Sequence, residues 1–358
     1  MSQIPVDNDD ALATRIRGIL HDATCAQDGP PGLIYAALDR SGRILVHEAA
    51  GVRELGKETP MTLDAVFGIN SCTKISTTIA VLQLVERGLL ELDEPIDRFC
   101  APELADVKIL SKDGTLIPTN GIDITMRMIL THTAGFGYSF DNEAKRKYLE
   151  EHVGVNEVSG LKKGVLQPVV AFEPGTAFLY GGSTDWAGEA VARLTGQTLG
   201  AYMKENIFDP LEAYDIAFAL TDDQRSRLVP MHLRSAVTGK LTVAPHQNYI
   251  LWPTLDPSYT NGEPEPYHAG SLGMLATSTS LLRVLAPLVR GGVGLNGARV
   301  LSERTIEALL QERLEEKGIR ILVRAVLLAC GPRTDWVSGR SAARRMCTSS
   351  SPDHAIPD

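Results

Sequence analysis

The chain has 358 residues and a mass of 38.7 kDa, with 44% hydrophobic and 22% charged residues, the composition of a globular protein with a substantial core. A formal net charge of −9 and a pI of about 5.5 disfavour a polyanionic partner, so nucleic-acid binding is not expected. No stretch reaches the roughly 18 apolar residues of a transmembrane helix, and the N-terminus is acidic before it is apolar, unlike a secretory signal. With five scattered cysteines (Cys25, Cys72, Cys100, Cys330 and Cys347), this predicts reduced thiols in a cytoplasmic protein with no membrane partner.

Residues 9–24 carry Leu12, Ile16 and Ile19 at helical spacing. LIYAALD and RILVHEA, on either side of Arg40-Ser41-Gly42, predict a β-hairpin. Helices are expected over 72–87, 124–131, 184–195, 198–207, 279–290 and 303–316, the last with Ser302 as N-cap. GIRILVRAVLLAC, residues 318–330, fits a strand or a short helix. Residues 331–358, rich in Ser, Arg and Pro, have the composition of a disordered tail.

Several motifs are set aside on context. The eight histidines form no HExxH or HxHxD cluster and the cysteines no CxxC pair, so no metal is expected. Gly292-Val293-Gly294-Leu295-Asn296-Gly297 spells GxGxxG, but it follows a helix-like stretch instead of a strand, which argues for a turn rather than a dinucleotide site. Ala269-Gly270-Ser271-Leu272-Gly273 approximates a nucleophile elbow, yet NGEPEPYH before it makes a poor strand, so Ser271 is read as part of a tight turn.

Two SxxK sequences occur, and about one is expected by chance in a chain of this size. Ser159-Gly160-Leu161-Lys162 lies in a loop-like stretch. Ser71-Cys72-Thr73-Lys74 follows AVFGIN and opens an amphipathic helix with Cys72, Ile75, Ile79, Leu82 and Val85 as its buried stripe and Gly88 past its end. Residues at i and i+3 share a helix face, so the Lys74 amine reaches the Ser71 hydroxyl. Burial and the positive end of the helix disfavour an ammonium there. A lysine so perturbed accepts the serine proton and makes Ser71 a nucleophile able to carry an acyl group. The alternative is Ser71 as a plain N-cap and Lys74 as a solvated charge, and the motif with its helix leaves both open. Tyr180, just ahead of a helix with Trp186, Ala187, Ala190, Val191 and Leu194 on its inner face, is a candidate acid/base; the alternative is a core phenol with its hydroxyl tied off. His132, before Gly135, is expected to be a structural hydrogen-bonding group.

Three segments, INSCTKISTTIAVLQLVERGLLELDEPIDRF, ILTHTAGFGY and FLYGGSTDWAGEAVARLTG, occur in that order. Together they resemble the serine β-lactamase-like/transpeptidase superfamily, and within it the fungal polyketide-cluster transesterases of the lovastatin acyltransferase type, kin to class C β-lactamases and family VIII esterases. The resemblance covers about residues 10–316. It implies an α/β fold of the α+β type, an antiparallel sheet flanked by helices plus a mainly helical region, in a domain spanning 1–330. It further implies Ser71 as nucleophile, Lys74 as its base and Tyr180 as shared acid/base, with no cofactor. The implied partners are an acyl thioester donor, such as an acyl carrier protein of a polyketide synthase, and a small-molecule alcohol acceptor. Two departures stand out. Many relatives carry Tyr-x-Asn where this chain has Tyr180-Gly181-Gly182, which favours acyl transfer to an alcohol over lactam hydrolysis. The strands that normally follow the 303–316 helix, one with a KTG-like element, are replaced by 318–330 and the tail; His268-Ala269-Gly270 occupies an earlier family position and is no substitute. The sheet is therefore expected to be incomplete, and a β-lactamase-like or carboxylesterase hydrolase and a truncated, catalytically impaired relative are the alternatives.

Overall fold

Apolar runs around a sharp turn pair as a hairpin wherever the turn residues accept the required backbone, and the N-terminal third does so. The structure, a computed structural model, describes residues 10–311. The expected C-terminal shortfall of strands, the segment 318–330 and the tail lie outside the described residues. Helix α1 (Asp10–Cys25) packs on an antiparallel hairpin of β1 (Gly32–Leu38) and β2 (Ile44–Gly51). Asp39 organises its turn by accepting from the amides of Ser41 and Arg43, while Gly42 takes the left-handed φ of 86°.

A second, three-stranded antiparallel sheet runs in the order β3 (Val66–Gly68), β5 (Leu275–Thr277), β4 (Ile216–Ala217), with Ala276 paired to both Phe67 and Ile216. These strands have two or three residues, too short for a period-2 pattern. The chain leaves β3 into a 3₁₀ turn (Asn70–Cys72) and then α2 (Thr73–Glu86). Helix α2 crosses α3 (Ser183–Thr195), and helix α4 (Ser278–Val289), which follows β5 directly, lies against β1.

The single stripe expected on α2 is corrected here. Ile75, Ile79 and Leu82 are buried, but so are Thr73, Lys74, Ser76, Thr77, Ala80, Val81, Gln83 and Leu84. Helix α2 is central, and its polar positions are buried because other chain segments satisfy them. Thr77 donates to the Gly270 carbonyl at 2.7 Å, and the Thr73 hydroxyl accepts from the Met274 amide at 3.1 Å. Gln83 donates to the carbonyls of Asn206 and Val300. Beyond its end, Gly88 at φ 67° turns the chain as expected. The 198–207 helix divides into Leu199–Met203 and a wider π-type turn at Lys204–Phe208, and a further helix, Glu143–His152, lies where the sequence suggested only loop. The glycines at 292–297 form a turn, closed by a Gly294 amide to Ala298 carbonyl bond of 2.7 Å, with Gly292 and Gly297 both at φ 87°.

Ile79, 1% exposed in the main core, reports on this centre of packing. Ile79→Ala is expected to lower unfolding stability by about 2–5 kcal/mol, measured as a shift in urea midpoint at constant m-value; a change below 1 kcal/mol would show that α2 is not the core element described.

Candidate active site

The strand-to-helix junction β3–α2 delivers Ser71. The ladder continues one residue past β3 through the Ile69 amide to the Met274 carbonyl, and Asn70 then turns the chain at φ 42°, a left-handed conformation that is costly outside glycine. Tyr249 holds it there by donating its hydroxyl to Asn70 Oδ1 at 2.9 Å. Ser71 is half-buried in the 3₁₀ turn that follows. Neither that turn nor α2 has a side-chain cap, so Ser71 is not the plain N-cap.

Lys74, one turn on, is 2% exposed. Its Nζ donates to the Ser271 carbonyl at 2.8 Å and the Tyr138 hydroxyl at 3.0 Å, and lies 3.3 Å from Ser71 Oγ. A buried amine needs such partners, because an uncompensated one costs several kcal/mol. The Ser71 hydroxyl, the Tyr138 hydroxyl and the Ser271 carbonyl thus converge on one buried amine. Tyr180 is brought to the same place, with Lys74 Nζ 4.8 Å from its ring centroid.

The other SxxK has no such arrangement. Ser159 is 1% exposed and its Oγ accepts the Leu161 amide, while Lys162 Nζ pairs with Glu189 at 2.6 Å. Ser271 is fully buried with its hydroxyl donated to Asp185, in agreement with the rejection of an elbow there.

His132 departs from expectation. Its carbonyl accepts the Leu179 amide at 2.9 Å and so locates the Tyr180 segment, but its buried ring Nδ1 has no hydrogen-bond partner. The ring packs against Tyr180 at 4.8 Å and edge-on to Phe178 at 6.0 Å. Burial, with the Lys74 charge adding to it, holds the imidazole down at about 3. It is thus neutral at ordinary pH and unsuited to general-base work.

Tyr138 was within a quoted segment but had no role assigned from sequence. It is 3% exposed, and burial, reinforced by the Asp185 charge, pushes its phenol well above the ordinary value, so it stays protonated beside Lys74. Its loop is staked on both sides. Lys145 donates to the Gly137 carbonyl at 2.6 Å, and Glu157 accepts from the Ser139 amide at 2.8 Å and hydroxyl at 2.6 Å. Glu157 and Lys145 form a buried pair at 3.3 Å. A tyrosine ending THTAGFGY, after three small or glycine residues, was the available signal; nothing in periodicity marks it.

Gly181 and Gly182 have a steric reason. A Cβ at 181 would meet the Phe136 carbonyl oxygen at 2.0 Å, and one at 182 would meet Asp185 Oδ2 at 2.9 Å. The Asn of a Tyr-x-Asn element would stand at 182, where its Cβ would press on the Asp185 carboxylate.

Among the described residues no group of three or more His, Cys, Asp or Glu could hold a metal ion. The chain is matched by known proteins. A family model described as Beta-lactamase matches residues 23–331. The chain belongs to the beta-lactamase family. Among curated relatives of this family member, lovastatin esterase of Penicillium rubens is 37% identical over 223 residues, 58% of this chain and 56% of that protein. Monacolin J acid methylbutanoyltransferase of Aspergillus terreus is 30% identical over 300 residues, 80% of this chain and 68% of that protein. The chain thus spans little more than half of the first and about two thirds of the second. Among solved structures, unliganded simvastatin synthase from Aspergillus terreus superposes with a TM-score of 0.70 at 29% identity, covering 85% of this chain and 73% of that one. The fold is the beta-lactamase-like mixture of helices and antiparallel sheets.

The depressed His132 value carries a linkage consequence. An imidazole held neutral by burial contributes stability that is present above the unfolded pKa near 6.5 and lost as pH falls toward about 3. His132→Asn, which tolerates the φ of 57°, is expected to lose less stability between pH 7 and pH 4.5 than the parent, read from urea midpoints at the two pH values; parallel losses would refute the assignment.

Proposed function

We propose that this beta-lactamase family member is a serine acyltransferase that moves an acyl group from a thioester to a small-molecule alcohol through an acyl-Ser71 intermediate. The observation that carries this is Lys74 Nζ at 3.3 Å from Ser71 Oγ, with the Tyr138 hydroxyl and the Ser271 carbonyl bound to the same amine. The names of relatives, lovastatin esterase and monacolin J acid methylbutanoyltransferase, favour an acyl acceptor of that chemical class, and a polyketide of secondary metabolism belongs to the same proposal.

In this scheme Lys74 takes the Ser71 proton as Oγ attacks the thioester carbonyl. The tetrahedral intermediate expels the thiol, which leaves with a proton relayed through the site. An alcohol then enters, gives its proton to the same base, attacks the acyl-serine and departs as the ester, restoring Ser71. Tyr180 is the shared acid/base. Tyr138, a protonated phenol, donates or accepts a hydrogen bond without taking the proton away. An acyl carrier protein as donor, a domain spanning 1–330 and a cytoplasmic location belong to the same proposal; among the described residues Cys25, Cys72 and Cys100 are free thiols, which is consistent with that location.

Hydrolysis is the second reading, favoured by the esterase relative. Intact-mass analysis after a p-nitrophenyl acyl ester is expected to find one acyl adduct on Ser71, absent in Ser71→Ala, and an added alcohol should be converted to its ester faster than water releases the acid. Lys74→Ala and Tyr180→Phe should each slow acylation by about 10²–10⁴-fold. A folded protein that takes no adduct overturns the acyl-enzyme, release of free acid alone converts the assignment to a hydrolase, and unchanged labelling in Lys74→Ala removes the proposed base.

A further inference from the structure

The Lys74 amine is oriented partly by a main-chain carbonyl, that of Ser271, and the group holding Ser271 lies 86 residues earlier in the chain. Asp185, in the first turn of α3 and 1% exposed, accepts the Ser271 amide at Oδ1 and the Ser271 hydroxyl at Oδ2, both at 2.8 Å. A carboxylate offers acceptors only, so both Ser271 donors are taken on one side, and the residue's carbonyl is left to face Lys74. The surroundings are shaped to admit this contact. A Cβ at Gly182 would meet Asp185 Oδ2 at 2.9 Å, and one at Gly270 would meet the Thr184 carbonyl oxygen at 2.6 Å.

A neutral side chain could hold a tight turn at lower cost. Burial pushes the Asp185 carboxyl up to about 6, against the two Ser271 bonds and the Lys74 and Lys145 charges that favour its ionised form. Retaining a buried carboxylate here carries a desolvation cost, which a purely architectural contact does not require.

The structure assigns Asp185 as a positioning residue: by clamping Ser271 through backbone and hydroxyl, it fixes the carbonyl that aims the Lys74 amine at Ser71. The assignment rests on Ser71 and Lys74 acting as proposed above. The titratable groups facing the pair are Tyr138, Tyr180 and His132 around Lys74, with Lys145 and Tyr267 around Asp185.

Asp185→Asn keeps size and replaces one acceptor by a donor. The expected result is a fall of about 10–10²-fold in the rate constant of Ser71 acylation, the scale of a small misplacement, with KM for the ester unchanged. In ¹³Cε-lysine NMR the Lys74 resonance, assigned by its loss in Lys74→Ala, should titrate at lower pH once the neighbouring negative charge is gone. Parent-like acylation and titration in the folded variant overturn the assignment. Should Asp185→Asn fail to fold, Ser271→Ala deletes only the hydroxyl bond; a lower acylation rate at unchanged KM supports the clamp and a parent rate overturns it. If the parent takes no Ser71 adduct, the acyl-enzyme proposal fails by itself. The clamp is then decided by the Lys74 titration in Ser271→Ala, which removes the hydroxyl bond but keeps the Asp185 carboxylate; a shifted curve sustains it and an identical curve refutes it.

Discussion

A lysine amine almost wholly removed from water must be met by oxygen atoms, and the layout of this protein follows from supplying them. Lys74 is contacted by Ser71 on its own helix approach, by Tyr138 from the loop after the 126–130 helix, and by the Ser271 carbonyl from the turn before β5. These lie far apart in sequence, |i−j| being 64 for Tyr138 and 197 for Ser271. Leaving the amine without them would cost more than most single contacts contribute. The contacts that close the fold around α2 are therefore also contacts of the candidate site.

The same turn that meets Lys74 is stitched along α2. Thr77 bonds the Gly270 carbonyl, Thr73 the Met274 amide, and Ile69 the Met274 carbonyl. This explains how a helix can bury serine, threonine, lysine and glutamine together with its leucines and isoleucines. Neighbouring hydrogen-bond partners turn what would be misplaced polar groups into a joint between helix and sheet.

Two of the four left-handed non-glycine residues among the described residues lie at the rim of this joint. Asn70 and His132 both adopt left-handed φ values, each at a cost of about 1–3 kcal/mol. Asn70 is offset by the Tyr249 hydroxyl, and His132 by the Leu179 amide on its carbonyl and by ring packing against Tyr180. The strained residues adjoin Ser71 and Tyr180, so the same contacts that offset the strain set the positions of both side chains.

Much of this was legible in the chain itself: the hairpin around Ser41-Gly42, the helix behind Ser71 with Gly88 past its end, the difference between the SxxK at 71–74 and that at 159–162, and the family resemblance carried by three segments. Those features are local, encoded by period, turn residues and a three-residue spacing on one helix face. The strands β3, β4 and β5 were not legible, because two or three residues carry no period. Nor was the burial of α2 on all sides, which depends on what the rest of the chain brings to it. Tyr138, Ser271 and Asp185 are gathered around Lys74 only through contacts across 64 to 197 positions. Sequence alone offered Ser71 as a candidate nucleophile and placed an amine one turn away. Tertiary structure alone decided the partners and environment of that amine, because burial and hydrogen-bond geometry are properties of the folded surroundings and not of spacing along the chain.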